Sequence, residues 1–179
     1  MTRRIVLLRG INLGPNKRVP MPALRELLES AGLGEVRTHL ASGNVVLESD
    51  ASSEELTAKC EQLIEERFGF SVAVVTRTRA ELADIVERNP LGSVAKDPKR
   101  YQVTFATHPP DPDAISKLEA VAAPSERIVA IGREVYAWHP EGVARSRLWN
   151  ALAGKGLGVT ATSRNWNTVA ALLDLVEAG

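Results

Sequence analysis

Basic side chains unaccompanied by acidic residues are the most distinctive chemistry in this sequence. One stretch runs from Arg3 to Arg25 with no acid before Glu26, and a second lies between Glu141 and Asp174. Their basic residues are Arg3, Arg4, Arg9, Lys17, Arg18 and Arg25, then Arg145, Arg147, Lys155 and Arg164. The whole chain carries 22 basic and 22 acidic residues, so this polarisation is local. Such stretches next to helix starts favour an anion site, and two ordinary solvated surfaces are the competing interpretation.

Polar residues beside these stretches define the predicted ligand-binding set. Some follow the first predicted strand, some lie at a hairpin tip, and some precede the last helix, where loops commonly carry binding residues. The predicted set is Arg9, Asn12, Asn16, Lys17, Ser42, Asn44, Arg164, Asn165 and Trp166. Turn formation explains the loop residues equally well, and Trp166 is also a plausible anchor of the last helix. The sequence leaves open whether the hairpin tip and the first loop form one site.

The first eighty residues alternate between strand and helix patterns. Ile5–Ile11 is a mostly apolar run that is typical of a covered central strand, and an amphipathic helix follows it. Alternating runs on either side of Ser42–Gly43 predict a hairpin, and a second helix starts at Ser52 or Ser53. A β-branched strand completes the order β-α-β-β-α-β. This order is that of the ferredoxin-like plait, with two helices on one face of an antiparallel sheet and the other face left open.

The second half repeats the order of elements without repeating residues. It reads β-α-β-β-α-β-α, ending with a short strand over Val159–Thr162 and a helix over Asn165–Ala178. We therefore predict an α+β protein of two tandem ferredoxin-like (α-β plait) lobes, each an antiparallel sheet with helices on one face. The first lobe covers residues 1–80, and the second covers residues 81–179, including a connector helix and the C-terminal helix.

Four short motifs follow one another along nearly the whole chain. They are Leu8-Arg9-Gly10-Ile11-Asn12, Asn16-Lys17 through Val19-Pro20-Met21, Ser42-Gly43-Asn44-Val45-Val46, and Ser163-Arg164-Asn165-Trp166-Asn167-Thr168. In this order they resemble a bacterial family, domain of unknown function 1697 (DUF1697). The resemblance implies two tandem ferredoxin-like lobes, and it implies no established activity.

Several kinds of chemistry are not supported by the residues. The single cysteine, Cys60, lies on the apolar face of a predicted helix, where we expect a small buried hydrophobe rather than a nucleophile. Gly154–Gly156 lacks the rest of a nucleotide-binding loop, so we expect no cofactor. The histidines have no paired metal-ligand spacing, so we expect no metal; they are His39, His108 and His139.

Aromatic residues of the second half raise a different possibility. Tyr101, Phe105, Tyr136 and Trp138 lie on two predicted strands, in the place where RNA-recognition modules stack bases. The basic-aromatic strand motif of those modules is missing, so packing within the protein is the favoured interpretation.

The predicted function is the binding of a small anionic ligand, phosphorylated or nucleotide-like, in a cleft between the lobes. First-lobe donors would meet Arg164 and Trp166 of the second lobe there. The sequence names no general base, so it leaves open whether the protein is an enzyme. The alternatives are an RNA-binding module and a non-enzymatic interaction protein that self-associates through its sheets. The sequence leaves the oligomeric state open between monomer and homodimer. The first apolar run is too short for a signal peptide or membrane span, so we expect a cytoplasmic protein without a membrane partner.

Overall fold

The computed structural model describes residues 1–178 and divides into two compact units. The first comprises residues 1–84 with the C-terminal segment from Leu172 onward, and the second comprises Ile85–Ala171. Within residues 1–178 there are two four-stranded antiparallel sheets and six helices, which confirms the prediction of a mixed α+β protein. Gly179, the last residue of the predicted second lobe, lies outside the described residues.

The first unit is built around a sheet of strand order β2-β3-β1-β4. Its elements are β1 (Thr2–Leu8), α1 (Met21–Ser30), β2 (Gly34–His39), β3 (Asn44–Ser49), α2 (Ser53–Phe68) and β4 (Val74–Thr78). The helix α3 (Arg79–Arg88) follows β4 directly and crosses into the second unit. Since β1 pairs antiparallel with both β3 and β4, the central strand ends where β3 begins.

Local signals account for the helices of the first unit. Pro20 is the N-cap of α1. Proline is tolerated there because a backbone N–H at the start of a helix has no partner within the helix. Ser52 and Glu55 form a complete capping box at the start of α2. The Ser52 backbone N–H and hydroxyl hydrogen-bond to Glu55, which lowers the pKa of that carboxyl group. Cys60 is fully buried in the core beneath α2, as the sequence predicts.

The second unit has a sheet of strand order β6-β7-β5-β8. Its elements are β5 (Tyr101–Ala106), α4 (Pro112–Val121), β6 (Arg127–Ile131), β7 (Glu134–Trp138), α5 (Arg147–Ala153), β8 (Ala161–Asn165) and α6 (Trp166–Glu177). The last turns of α6 belong to the C-terminal segment that groups with the first unit.

The closing strand of the second unit lies later in the chain than the sequence predicts. Instead of ending at Thr162, β8 continues to Asn165, which pairs with Gln102 of β5. The polar run from Ser163 resembles a loop, but backbone ladder bonds do not require apolar side chains. The hydroxyl groups of Thr104 and Ser163 also approach to 2.6 Å across the two strands.

Both faces of the central strands are covered. In β1, Val6 packs into the helix-side core, while Ile5 on the opposite face is only 1% exposed. In the second sheet, the Tyr101 hydroxyl group donates to the Asn89 side chain, and the Tyr136 hydroxyl group donates to the Ile85 carbonyl. The faces predicted to be open are therefore buried along the central strands. None of the helices within residues 1–178 is both long and apolar enough to cross a membrane.

Candidate functional site

The loop after β1 and the tip of the β2–β3 hairpin lie at the same end of the first sheet. Leu7 pairs with Asn44, and the Leu8 N–H donates to the Gly43 carbonyl over 2.9 Å. The two predicted segments are therefore in contact. We call residues 9–19 together with the hairpin tip, residues 40–43, the loop platform.

Asn12 holds the loop platform together. Its backbone N–H donates to the Lys17 carbonyl, which closes the loop on itself over 3.1 Å. Its side-chain oxygen accepts from the Val19 N–H, and its side-chain amide donates to the Val19 carbonyl and, over 2.7 Å, to the Ala41 carbonyl. Asn12 has a φ of 55°, a conformation that asparagine tolerates better than most residues. Its side chain is therefore engaged within the protein.

Gly43 and Asn44 make the close approach of hairpin and loop possible. A Cβ atom at Gly43 would lie 2.7 Å from the Leu8 Cβ atom and 2.9 Å from the Ile11 Cδ1 atom, and its φ is +89°. Both constraints require glycine. Asn44 is fully buried and donates to the His39 carbonyl and the Ser42 hydroxyl group. Asn44 and Ser42 thus shape the hairpin tip.

The loop platform presents two cationic side chains to solvent among polar and apolar ones. Asn16, Lys17 and Arg18 are all exposed. The backbone of Lys17 has a φ of 52°, in the left-handed region. Arg9 is half-buried, and its backbone N–H donates to the Ala73 carbonyl. Two leucines beside the Asn12–Ala41 bond are also exposed, Leu13 by 86% and Leu40 by 59%. The loop platform therefore combines positive charge with exposed apolar surface.

The predicted residues of the second unit are engaged in that unit. Arg164 is buried within β8, where it donates to the Thr162 hydroxyl group and the Ser163 carbonyl, and burial lowers its pKa to about 10. The Asn165 side chain accepts from the Thr168 N–H at the start of α6. The Trp166 ring stacks on Tyr101, with ring centroids 4.7 Å apart. Asn165 thus caps α6 and Trp166 packs as the anchor that the sequence also allows, and ligand contacts by these residues stay predictions.

Three of the four strand aromatics are too buried to stack on bases, and the fourth, Trp138, is half-buried. Tyr101, Phe105 and Tyr136 are at most 1% exposed. Burial raises the pKa of the Tyr101 phenol to about 12, and its hydroxyl group is held between Asn89 and the Leu91 N–H. These rings serve as packing residues, the interpretation that the sequence favours.

A buried polar network in the second unit escapes sequence analysis. The Glu126 Oε2 atom accepts from the Ser146 hydroxyl group over 2.6 Å and lies 2.5 Å from His139 Nδ1. The Glu126 Oε1 atom accepts from the Ala123 N–H. Ser146 in turn accepts from the Trp149 N–H and caps α5. Glu126, His139 and Ser146 are spaced 13 and 7 residues apart and lie at the ends of three different elements, so no local pattern in the sequence connects them.

The charges in this network follow from burial and hydrogen bonding. Burial opposes the charged form of Glu126, but hydrogen bonds from Ser146, the Ala123 N–H and His139 outweigh it and lower the pKa of Glu126. Burial also lowers the pKa of His139, against the opposing effect of Glu126. At neutral pH, a carboxylate therefore accepts from a neutral imidazole protonated at Nδ1. The Nε2 atom of His139 is buried without a hydrogen-bond partner among residues 1–178.

A cavity of about 630 Å³ lies beside the network, and we call it the second-unit cavity. Glu126 and Ser146 contribute to its wall, together with the exposed residues Glu141, Arg145 and Arg147. Two guanidinium groups from the second acid-free stretch thus border a concave site. Within the described part of the chain, no group of three or more His, Cys, Asp or Glu residues is arranged to hold a metal ion.

Comparisons with known proteins agree with the family resemblance. The family model described as "Protein of unknown function (DUF1697)" matches residues 1–136. A solved structure titled "The structure of conserved bacterial protein SP0830 from Streptococcus pneumoniae" is similar, with a TM-score of 0.80 and 24% sequence identity. The match covers 98% of this chain and 99% of that chain, and at this identity it shows a shared fold. No curated protein matches the chain.

Proposed function

Because the chain belongs to the DUF1697 family, whose description assigns no activity, we propose its function from the geometry of the first unit. The protein binds a small anionic ligand, phosphorylated or nucleotide-like, on the loop platform. Arg9, Asn16 and Lys17 are the predicted ligand residues that this proposal uses, and Arg18 joins them through its exposed position beside Lys17.

The observation that carries the proposal is the fixation of the loop platform by Asn12. Three side-chain hydrogen bonds and one backbone bond tie this residue to Lys17, Val19 and Ala41. A loop held in this way loses little conformational entropy when a ligand binds, so more of the interaction energy appears as affinity. The cationic residues Lys17 and Arg18 are carried on a pre-organised backbone.

The surroundings of the loop platform favour an anion with an apolar part. The first acidic residue of the chain is Glu26, so the platform segment itself contains no acid to neutralise Lys17 and Arg18. Leu13 and Leu40 add exposed apolar surface next to these charges. A nucleotide-like ligand has both components, since its phosphate suits lysine and arginine and its ring suits leucine side chains.

The test is a titration of the wild type and matched variants with adenosine monophosphate, followed by calorimetry and thermal shift. We expect Lys17→Ala and Arg18→Ala each to weaken binding about tenfold, which corresponds to about 1.4 kcal/mol. Arg79→Ala is the control, because Arg79 is exposed and follows β4 at the opposite end of the sheet. Absence of binding by the wild type, or unchanged affinity in the Lys17→Ala/Arg18→Ala double variant, would contradict the proposal.

Salt dependence separates this proposal from RNA binding. A protein that contacts several backbone phosphates loses affinity steeply with salt, whereas a pocket for one small ligand loses less. A single-stranded oligonucleotide that binds more tightly than adenosine monophosphate, with a steep salt slope, would replace the proposed function by the RNA alternative. The buried positions of Tyr101 and Tyr136 do not favour that alternative.

Two further predictions accompany this function. We propose that both units are ferredoxin-like plaits, a proposal supported by the matching strand orders β2-β3-β1-β4 and β6-β7-β5-β8. Cytoplasmic residence is the second, and fractionation of the native bacterial cells tests it. Contribution of Arg164 and Trp166 to the ligand site, and a monomeric or homodimeric state, stay predictions.

A further inference from the structure

We propose that the second-unit cavity is a separate binding site for a phosphate monoester that carries a small apolar group. It does not depend on the function proposed for the loop platform, because the residues that form it belong to the second unit alone. Its volume of about 630 Å³ lies within the range typical of small-molecule sites.

Two guanidinium groups give the cavity its anion chemistry. Arg145 and Arg147 lie on either side of Ser146, line the cavity and are exposed. Among residues 1–178, neither guanidinium group has an ion-pair or hydrogen-bond partner, so both are available to a ligand. Guanidinium groups bind phosphate oxygens in pairs of parallel hydrogen bonds, and two of them can neutralise a dianion.

The lining also contains two carboxylates, Glu126 and Glu141, which equal the two arginines in number and differ from them in their hydrogen bonding. Glu126 is engaged by protein donors, because its two oxygens accept from the Ala123 N–H, the Ser146 hydroxyl group and His139 Nδ1. Glu141 is exposed, so water and salt screen its repulsion of an anion. The two guanidinium groups are thus the charged groups of the lining that still have hydrogen-bond donors to offer a phosphate.

The buried network positions the segment that carries both arginines. The Gly142 N–H donates to the His139 carbonyl, and the Ser146 N–H donates to the Val143 carbonyl. Together with the Glu126–Ser146 bond, these contacts fix residues 139–146, and through the cap at Ser146 the start of α5 at Arg147, against the turn that precedes β6. Glu126 and Ser146 are therefore positioning residues.

Small apolar residues complete the cavity wall and favour a ligand that carries a small apolar group beside its phosphate. Val121, Ala123 and Ala144 line the cavity, and Val121 is 41% exposed. A ligand with an aromatic or short aliphatic group next to its phosphate would cover this surface. Phenyl phosphate has both parts and is the probe that we would use.

The experiment titrates the full chain with phenyl phosphate at low salt and maps, by NMR, the amide shifts of the non-proline residues within 121–126 and 139–147. We expect Arg145→Ala and Arg147→Ala each to weaken binding about tenfold. Lys96→Ala, an exposed basic residue of the same unit outside the cavity lining, is the control and should bind as the wild type does. Glu141→Gln should strengthen binding modestly, because it removes a like charge.

Other outcomes overturn the inference. Unchanged affinity in the Arg145→Ala/Arg147→Ala double variant, or shifts confined to residues outside 121–126 and 139–147, would show that the cavity is not the site. Equal binding of inorganic phosphate would contradict the apolar component, and equal binding of benzoate would contradict the phosphate class. The Lys17→Ala/Arg18→Ala variant must retain phenyl phosphate binding here, so failure of this site and failure of the loop-platform site give different results.

Discussion

The side-chain amide of Asn12 donates to the Ala41 carbonyl over 2.7 Å and so joins two loops that are 29 residues apart in the chain. The same side chain is bonded in both directions to the Val19 backbone. The partners of the Asn12 side chain are backbone groups, which no substitution can remove. Loss of the Asn12 side chain therefore leaves several backbone groups without their protein partners.

Asn12→Ala should lower the free energy of unfolding by about 1–3 kcal/mol, because hydrogen bonds are lost and alanine is strained at a φ of 55°. Urea unfolding measures this change. Asn16→Ala, in the same loop but exposed, is the matched control and should change stability by less than about 0.5 kcal/mol. Equal stability of the two variants would show that Asn12 does not hold the loop platform together.

Gly43→Ala should destabilise the protein more than Gly69→Ala. Both glycines have a φ above +80°. A Cβ atom added at Gly43 would lie 2.7 Å from the Leu8 Cβ atom, whereas a Cβ atom added at Gly69 would have no neighbour within 4 Å. The shared backbone strain is about 1 kcal/mol, and the clash adds to it. The difference between the melting temperatures of the two variants measures the effect of the clash. Similar melting temperatures would contradict the close contact between hairpin and loop.

Acid should destabilise the second unit in two steps. The pKa of His139 is lowered from its ordinary value of 6.5, so the unfolded chain binds a proton there before the folded chain does, and stability falls as the pH drops below about 6.5. The pKa of Glu126 is also lowered, which gives a second loss of stability below its ordinary value of 4.5. Unfolding free energies measured across this range would reveal both steps.

His139→Asn tests the first step, because the Asn amide can replace the Nδ1–H donor but does not titrate. We expect the variant to show a flatter pH dependence than the wild type between about pH 7 and 5. His108→Asn, at an exposed position, is the control and should retain the slope of the wild type. An identical slope in His139→Asn would mean that His139 is not the group responsible.

Cys60 should resist thiol reagents in the folded protein. Burial raises the pKa of its thiol to about 12, so almost no thiolate exists at neutral pH, and the side chain is fully buried. Reaction with a chromogenic disulfide should be slow in buffer and rapid in denaturant. Fast stoichiometric reaction without denaturant would contradict both the burial and the assigned core role.

Much of the fold could be predicted because its signals are local. The cap formed by Ser52 and Glu55 needs only four consecutive residues, and the apolar run of β1 shows in one short window. The boundary of β8 was missed because Ser163–Asn165 is polar, and only pairing with β5 makes it a strand. Local patterns therefore predict elements and their order more reliably than they predict where an edge strand ends.

The candidate sites depended on contacts between residues distant in the chain. The sequence alone determined the α+β order of elements, the family and two acid-free basic stretches. Only the tertiary structure brought Asn12 to Ala41, buried Arg164 in β8, and placed Glu126 against His139 and Ser146 beside a cavity. The physical reason is that helix and strand periods report on neighbours along the chain. A hydrogen bond between side chains from separate loops leaves no period in the sequence.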